Sequence, residues 1–393
     1  MRSMTQGRIE RLRQYAAAGN WEACLEAMQY VPYRKRDKAF HAVSLDIYET
    51  IRQEQGYANH LGVLRGLAKT YYDGYLHREK AVPAVTKGEY ARRSDMYFSR
   101  VLRQERNCFD LYQYGILLHE VSHDGFLRVS WKERQGKRHK AMNLFTEIIR
   151  SGQGDDKAQD LLLRACYRYS QCVIESLRCH GTMQEELDLL FPSEQKVMPA
   201  WERQHLRTAW QYLQWLHNSA KGNDLYQPGQ VPYLLGTVAD IGGQYQKRER
   251  ADKAFLMAEE QYTAACTLAM KQAGKVASAG VQAYAALLTL ALRRRNRSAY
   301  EDLLARYNEV FSLPLGTKLL HDARWHILSK DYGKARAVLM PYLFQAQAYP
   351  GLSLARARTL ARIVDIGLGK KNPYSMGATP WQRQQYGRIA PLL

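Results

Sequence analysis

The stretch Leu319–Leu343, LLHDARWHILSKDYGKARAVLMPYL, contains the pattern on which the fold prediction depends. Its first half places Ala323, His326 and Ile327 at i, i+3 and i+4, which is one face of a helix. Its second half repeats this spacing from Ala335 onward, after a Lys-Asp dipeptide that predicts a turn. Small residues where two helices cross let the backbones approach closely, while larger ones fill the grooves beside them. The stretch therefore predicts two helices joined by a short turn and packed face to face.

The same helical periodicity recurs along most of the chain. Long runs of alternating apolar and polar residues, which would indicate strands, are missing. Prolines fall between the periodic segments, with the exception of Pro341. The clearest further helices are predicted at 8–32 (as a pair with a turn at Gly19–Asn20), 37–54, 155–179 and 199–219.

The segment GNWEACLEAM at 19–28 resembles the start of the second helix of a tetratricopeptide (TPR) repeat, and Leu319–Leu343 resembles a whole repeat. The resemblance implies an all-α fold, an α-solenoid of antiparallel helix hairpins stacked as a right-handed superhelix. It also implies partner binding rather than catalysis. Departures from the family pattern include long inserts, few repeat-ending prolines, and a cysteine, Cys24, at a small-residue position.

Three parts are expected along the chain. Residues 1–220 form an N-terminal helical repeat part with two long basic inserts, 221–368 form C-terminal TPR-like repeats, and 369–393 form an extended basic tail. The loop KGNDLYQPGQVP at 221–232 provides the joint, because it combines glycine and proline with polar residues. An acidic patch, QEELDLLFPSEQ at 184–195, is predicted to interrupt the helices.

The chain of 393 residues carries 57 Lys and Arg against 38 Asp and Glu, a formal net charge of +19. Such an excess favours acidic partners, among them nucleic acid, an acidic protein face or anionic lipid. A solvated surface that only maintains solubility is the alternative. The six cysteines form no C-x-x-C pair, the N-terminus has no apolar signal region, and no stretch reaches about 18 apolar residues. Free thiols in a reducing compartment, and a cytoplasmic location without a membrane span, are therefore expected.

Residues 60–152 contain an internal repeat. Gly66 corresponds to Gly115 and Phe98 to Phe145, at offsets of 49 and 47 residues, against about 34 for a TPR. The excess length is a basic connection in each copy, which solenoids tolerate at the tips of helix pairs. Both connections are predicted to project from one edge of the array.

Cations interleaved with an aromatic residue in each connection could neutralise phosphates and stack on bases. A solvated loop is the alternative. The first insert contributes Arg78, Lys80, Lys87, Tyr90, Arg92 and Arg93, and the second contributes Arg128, Trp131, Lys132, Arg134, Lys137, Arg138 and Lys140.

The segment His119-Glu120-Val121-Ser122-His123 is an H-E-x-x-H motif and resembles the zinc metallopeptidase helix. Histidines four residues apart share a helical face and can bind one zinc ion, and the glutamate between them can act as a base. Glu147 on the partner helix is the nearest candidate third ligand. The alternative is a pair of helix-flank histidines without metal, since the other repeat copy carries Ala68, Lys69 and Tyr72 at these positions.

The sequence is compatible with three functions. The first is a non-enzymatic scaffold or adaptor without a cofactor, whose basic surface binds an acidic partner, RNA or DNA included, within a larger protein assembly. The second is a zinc-dependent hydrolase using Glu120. The third is a protein-interaction module whose charge is incidental.

Overall fold

The computed structural model describes residues 4–29, 38–76, 84–124, 127, 129–152, 159–178, 182–192, 197–219, 225–246, 248–271, 278–311, 313–344 and 353–370. Within these residues the regular structure is entirely helical, which confirms the predicted all-α class. None of the helices in this part of the chain is both long and apolar enough to cross a bilayer.

The described ranges contain seventeen helices. The first eight are α1 (Met4–Ala17), α2 (Trp21–Gln29), α3 (Lys38–Gln53), α4 (Leu61–Leu76), α5 (Ala84–Gln104), α6 (Cys108–His123), α7 (Trp131–Ser151) and α8 (Gln159–Arg178). The remaining nine are α9 (Thr182–Leu190), α10 (Ala200–Asn218), α11 (Gln230–Gln244), α12 (Arg248–Met270), α13 (Ser278–Arg293), α14 (Arg297–Tyr307), α15 (Leu315–Leu328), α16 (Tyr332–Phe344) and α17 (Leu354–Gly367).

The chain packs as two compact units, Met1–Cys172 and Val173–Leu393, and the division falls within α8. The sequence placed its boundary near residue 220 instead, at a loop rich in glycine and proline. Composition of a loop is a local signal, whereas a unit boundary depends on which helices pack together. The predicted tail lies outside the described residues from 371 onward.

The internal repeat appears in the first unit as two successive helix pairs of equal lengths. Helices α4 and α6 each have 16 residues, and α5 and α7 each have 21. Each helix of the second pair begins 47 residues after its counterpart. Gly115 of α6 leaves room for the Phe145 ring of α7, because a Cβ at Gly115 would lie 2.6 Å from that ring. At the corresponding Gly66 the space is filled by Tyr48 of α3 instead.

In the second unit the stretch Leu319–Leu343 forms two helices, as predicted. Helix α15 ends at Leu328, and α16 begins at Tyr332 after a turn in which Lys330 has a φ of 57°. Ala323 and Ala335 are fully buried in one apolar cluster that also includes residues of α9 and α17. Small residues at the crossing therefore allow the close packing that the sequence indicated.

The predicted interruption at 184–195 is wrong over its first half. Residues Thr182–Leu190 form α9, whose Leu187 and Leu190 are buried in the apolar cluster around Ala323. The charged residues of this segment do not keep it in solvent, since Glu186 is completely buried and bound to arginines of α15 and α17. In the sequence, acidic residues that are paired inside the fold cannot be distinguished from acidic residues of a solvent-exposed loop.

Five of the six cysteines lie within the described residues, and all five are free thiols. Cys24, Cys166, Cys172 and Cys266 are buried, and Cys108 is half-buried. Burial raises the pKa of the Cys166 thiol to about 12, which disfavours the reactive thiolate. These thiols behave as small apolar core residues, as expected from their positions in helical patterns.

Candidate functional site

The two basic inserts are largely helical rather than loops. Helix α5 begins at Ala84 and α7 begins at Trp131, so most of the predicted binding residues lie in the first turns of these helices. The Ser130 side chain accepts a hydrogen bond from the Glu133 backbone N–H at 3.2 Å and caps α7. Ser-x-x-Glu is a common helix start, so this local signal was present in the sequence. Arg78, Lys80 and Arg128 lie outside the described residues.

The cations of the first insert face carboxylates of their own unit. Arg92 and Arg93 bind Glu89 at 2.7 and 2.6 Å, and these hydrogen bonds lower the pKa of Glu89. Arg93 also donates a hydrogen bond to the Tyr71 hydroxyl at 2.6 Å. Tyr90 packs beside Tyr71 with ring centroids 5.8 Å apart, and Lys87 is half-buried. Tyr90 is thus part of the packing between helices and not an open stacking platform.

Two arginines of the second insert donate hydrogen bonds at the C-terminal end of α6. Arg134 donates to the Val129 carbonyl oxygen at 3.2 Å. Arg138 is only 3% exposed and donates to the Ser122 hydroxyl at 3.2 Å. Both side chains satisfy oxygen atoms at and beyond a helix end, where carbonyl groups lack intrahelical donors.

The lysines of the second insert reach toward α5. Lys137 and Lys140 each lie 3.6 Å from a carboxylate oxygen of Asp95, and the Lys140 ammonium sits 4.6 Å from the centre of the Tyr114 ring. Burial, together with the charge of Asp95, raises the pKa of Tyr114. Trp131 and Lys132 remain exposed at the first two positions of α7, with Trp131 60% exposed.

A second set of cations, which shares Arg92 with the first insert, lies along one face of α5. We define the α5 strip as Arg92, Met96, Arg100 and Arg103. Offsets of four, eight and eleven residues from Arg92 place these side chains on one helical face, about 16 Å long. The Arg92 side chain is 76% exposed, Met96 is 46% exposed and Arg103 is exposed.

The α5 strip carries more positive charge than its surroundings neutralise. Arg100 donates to the Asn59 amide oxygen at 2.7 Å, which orients the guanidinium without cancelling its charge. Among the described residues, neither Arg100 nor Arg103 forms an ion pair with a carboxylate. The nearby acids Glu89 and Asp95 each already face two cations. The strip therefore retains positive charge that can bind an external anion.

Sequence reasoning identified Arg92 but missed Arg100 and Arg103. The predicted cations lie in basic runs of the sequence, whereas Arg100 and Arg103 lie inside α5 with no basic residue directly beside them in the sequence. The signal that could have found them is the 3.6-residue period itself, applied to cations instead of apolar residues.

The two histidines of the H-E-x-x-H motif do come together on α6. Their ring centroids are 4.6 Å apart with planes at 82°, and ring nitrogens of the two side chains lie within 4.8 Å. His119 is 2% exposed, and His123 is exposed in the last turn of the helix. A transition-metal ion could bridge two imidazoles placed this way.

The two glutamates predicted to act with these histidines, Glu120 and Glu147, both face arginines. Glu120 lies 3.5 Å from Arg168 of α8. Glu147 forms a bidentate ion pair with Arg106 at 2.5 and 2.7 Å, and these hydrogen bonds lower the pKa of Glu147. Arg106 precedes α6, so Glu147 is held about 20 Å along the helix axis from His119. The structure does not bring Glu147 to the histidines.

A third run of arginines, at 293–297 in the second unit, is closed by internal contacts. Arg293 pairs with Asp240, and Arg294 and Arg297 lie 2.6 and 2.9 Å from Glu259 and Glu301. Arg295 donates to the carbonyl oxygen of Leu292 at 3.2 Å, near the end of α13. This run therefore caps the end of a helix and holds neighbouring helices together by ion pairs.

Comparison of the chain with protein-family models, curated proteins and solved structures finds no match.

Proposed function

We propose that this protein is a non-enzymatic helical-repeat scaffold that binds an acidic partner through the α5 strip. Its helix pairs would stack as in the TPR-like solenoid that the sequence resembles. The single observation on which the proposal depends is a row of three arginines along α5, of which only Arg92 has a carboxylate partner among the described residues; Arg92 and Arg103 are exposed and Arg100 is half-buried. Each guanidinium can form two parallel hydrogen bonds with a carboxylate or phosphate, which favours specific anion contacts over diffuse attraction.

Met96 adds an apolar contact at the centre of the strip. Its thioether side chain is flexible and polarizable, so it can adapt to the methylene groups or the ring of a partner. Exposed ion pairs contribute about 0–1 kcal/mol each, so a useful affinity needs several arginines acting together. A row of cations spaced along one helix supplies that cooperation.

The test is a charge reversal with a matched control. The double variant Arg100→Glu/Arg103→Glu removes two strip cations, and Arg11→Glu/Arg13→Glu makes the same change at exposed arginines of α1. Binding to fluorescent polyglutamate and to a single-stranded oligonucleotide is measured by anisotropy at about 50 and about 300 mM NaCl. We expect the strip variant to bind at least about 10-fold more weakly, equivalent to about 1.4 kcal/mol, and the control to change by less than about 2-fold.

Circular dichroism establishes that both variants remain helical, and Arg103→Glu alone keeps the Arg100–Asn59 contact intact. Equal losses in both double variants would show attraction by net charge and not by the strip. No binding of either probe at low salt would support the third function, a protein-interaction module whose charge is incidental.

A zinc-dependent hydrolase is the second candidate, favoured by the closeness of His119 and His123. It would need Glu120 to leave Arg168 and a further ligand to complete the zinc shell. The test is elemental analysis of protein purified without chelators, compared with His119→Ala/His123→Ala. Stoichiometric zinc in the wild type, its loss in the variant, and loss of peptide hydrolysis in Glu120→Gln are expected for this candidate. A wild type without zinc would remove it.

A further inference from the structure

Helix α10 in the second unit has one packed face and one open face. Its buried residues Leu206, Ala209, Leu213 and Leu216 follow helical spacing, and the helix packs against α11. Trp210 also turns inward and contacts the apolar cluster around Tyr262. Nine of the other positions of this 19-residue helix are exposed, at 200, 201, 203, 204, 207, 211, 214, 215 and 218.

Two tryptophans lie on the open side. Trp201 is 49% exposed and Trp215 is 41% exposed. They are separated by 14 residues, which brings them to the same edge of the helix about 21 Å apart. Val197, 79% exposed, precedes the helix by three residues. Large exposed aromatic residues on one edge are typical of anchor positions in protein interfaces.

The opposite border of the open side, about 80° to 160° around the helix from the indoles, carries only positive charge. Arg203 and Arg207 are both exposed, and neither forms an ion pair with a described carboxylate. Arg203 donates to the Met198 carbonyl oxygen at 3.1 Å, which holds its stem against the start of the helix. The one acid of α10, Glu202, is half-buried. Exposed glutamines occupy positions 204, 211 and 214.

We propose that the open face of α10, defined by Trp201, Arg203, Arg207 and Trp215, docks an amphipathic acidic helix of a partner protein. Large aliphatic side chains of the partner would cover the two indoles at i and i+14, and its carboxylates would meet the two arginines. A helix laid along a helix matches a straight apolar edge about four turns long. This surface lies in the other unit from the α5 strip and does not depend on it.

Charge density favours a protein helix over nucleic acid at this face. Two arginines along about 21 Å would meet roughly three to six phosphates of a single strand, which leaves most of them uncompensated. The exposed glutamines lie between the indoles and the arginines around the helix, and their uncharged amides can form hydrogen bonds with polar side chains of a protein partner. Tryptophan and arginine are also the residues most enriched among strongly contributing interface positions.

The test uses the full chain and a synthetic probe. The probe is a peptide of about 20 residues with leucines at i, i+3, i+4 and i+7 and glutamates on its flanks. Its two controls are a scrambled peptide of the same composition and one with lysine in place of glutamate. Binding is measured by calorimetry and by the blue shift of tryptophan emission as an indole leaves water.

We expect the acidic amphipathic peptide to bind at least about 10-fold more tightly than either control peptide. Trp201→Ala/Trp215→Ala should remove that difference, and Arg207→Glu, which keeps both indoles, should weaken it and improve binding of the lysine peptide. Trp131→Ala, at an exposed tryptophan of the first unit, should change nothing. The scrambled peptide carries the same charge as the probe, so the α5 strip would bind both peptides alike, and a preference for the amphipathic peptide tests this proposal separately from the proposed function.

Three results would overturn the proposal. The first is equal affinity for the scrambled peptide, or none for the acidic one up to about 100 μM, which corresponds to about −5.5 kcal/mol. The second is competition by a single-stranded oligonucleotide that depends on Trp201 and Trp215, which would assign the face to nucleic acid. The third is concentration-dependent dimerisation lost in the tryptophan variant, which would assign it to a second copy of this chain.

Discussion

At the scale of single residues, several helical glycines act as sockets for aromatic rings. A Cβ at Gly236 would lie 2.6 Å from the Tyr262 ring, and one at Gly243 would lie 2.6 Å from the Phe255 ring. Glycine inside a helix costs about 1 kcal/mol relative to alanine. These positions keep glycine because the space of a methyl group is already occupied by a neighbouring ring.

The adjacent glycines of α11 allow a matched test of this account. Gly243→Ala should destabilise the protein by about 1 kcal/mol or more, because overpacking a tight interface costs about 1–3 kcal/mol and exceeds the gain in helix propensity. At Gly242 the nearest atom to an added Cβ is a Leu206 methyl carbon at 3.7 Å, an ordinary contact. Gly242→Ala should therefore be neutral or stabilising by up to about 1 kcal/mol. Urea unfolding of both variants measures the difference, and the same sign at both positions would contradict the socket explanation.

The buried imidazole of His321 is expected to make the free energy of unfolding depend on pH. It is 2% exposed on α15, and burial, followed by the charges of Arg324 and Arg356, holds its pKa well below 6.5. The ring of Tyr300 lies beside it, with centroids 6.2 Å apart. The folded protein therefore keeps this imidazole neutral, while the unfolded chain takes up a proton below pH of about 6.5.

Because the unfolded state binds the extra proton, we expect stability to fall as pH drops below about 6.5, by up to about 1.4 kcal/mol per pH unit from this group. The measurement is the urea unfolding free energy between about pH 5.5 and 7.5, compared with His321→Gln. The variant should lose that part of the slope whatever its absolute stability. Parallel pH profiles for the two proteins would show that His321 titrates normally in the folded state.

At the scale of elements, α9 is fastened to α15 and α17 by a buried ion network. The Glu186 carboxylate is fully buried and receives hydrogen bonds from Arg324 at 2.5 and 2.9 Å and from Arg356 at 2.7 Å. Burial alone would raise the pKa of Glu186, but the two guanidinium groups outweigh it and the net shift is downward. The adjacent Glu185 also binds Arg356, with its side chain 34% exposed.

Removing one member of a buried network leaves the others uncompensated. Glu186→Gln should therefore cost about 3–5 kcal/mol, whereas Glu185→Gln should cost less than about 1 kcal/mol because solvent can replace that contact. Urea unfolding measures both, and hydrogen exchange should show α9 opening before the rest of the second unit in Glu186→Gln. Similar losses in the two variants would mean that the network is solvated, and that burial of Glu186 does not decide its contribution.

These elements also show how far the sequence determines the fold in advance. Helices predicted at 37–54, 155–179 and 199–219 begin and end within a few residues of α3, α8 and α10, because apolar periodicity is a local property. Helix α9 was missed because the arginines that neutralise Glu186 lie 138 and 170 residues further along the chain. No residue close to Glu186 in the sequence indicates that these arginines will neutralise it.

The candidate sites likewise have some features that the sequence predicts and others that depend on how the helices pack. The closeness of His119 and His123 follows from i, i+4 spacing and was predictable. The engagement of Arg134 and Arg138 with α6, and of Glu147 with Arg106, depends on how helices pair and was not. Runs of basic residues were a poor predictor of solvent-exposed positive charge, because most of their described cations bind carboxylate or carbonyl oxygen atoms within the protein.

At the scale of the whole molecule, the net charge of +19 sets up self-repulsion that an external anion can relieve. Net charge could be read from the sequence, but which cations remain available depends on the fold. Internal ion pairs occupy Arg93, Lys137 and Lys140, while Arg100 and Arg103 remain without carboxylate partners among the described residues. A polyanion that binds the folded chain at such positions must stabilise it by linkage.

We therefore expect polyglutamate to raise the melting temperature at low salt. At a concentration about 100 times its Kd, a ligand that binds only the folded state contributes about 2.7 kcal/mol, and the effect should vanish at about 0.5 M NaCl as the charges are screened. Uncharged dextran and polylysine at equal mass are the controls for crowding and for polymer charge. Arg100→Glu/Arg103→Glu should reduce the rise, and Arg11→Glu/Arg13→Glu should largely preserve it. A rise of equal size in both variants would place the anion elsewhere on the molecule, because a local site and a diffuse positive field respond differently to the same change in net charge.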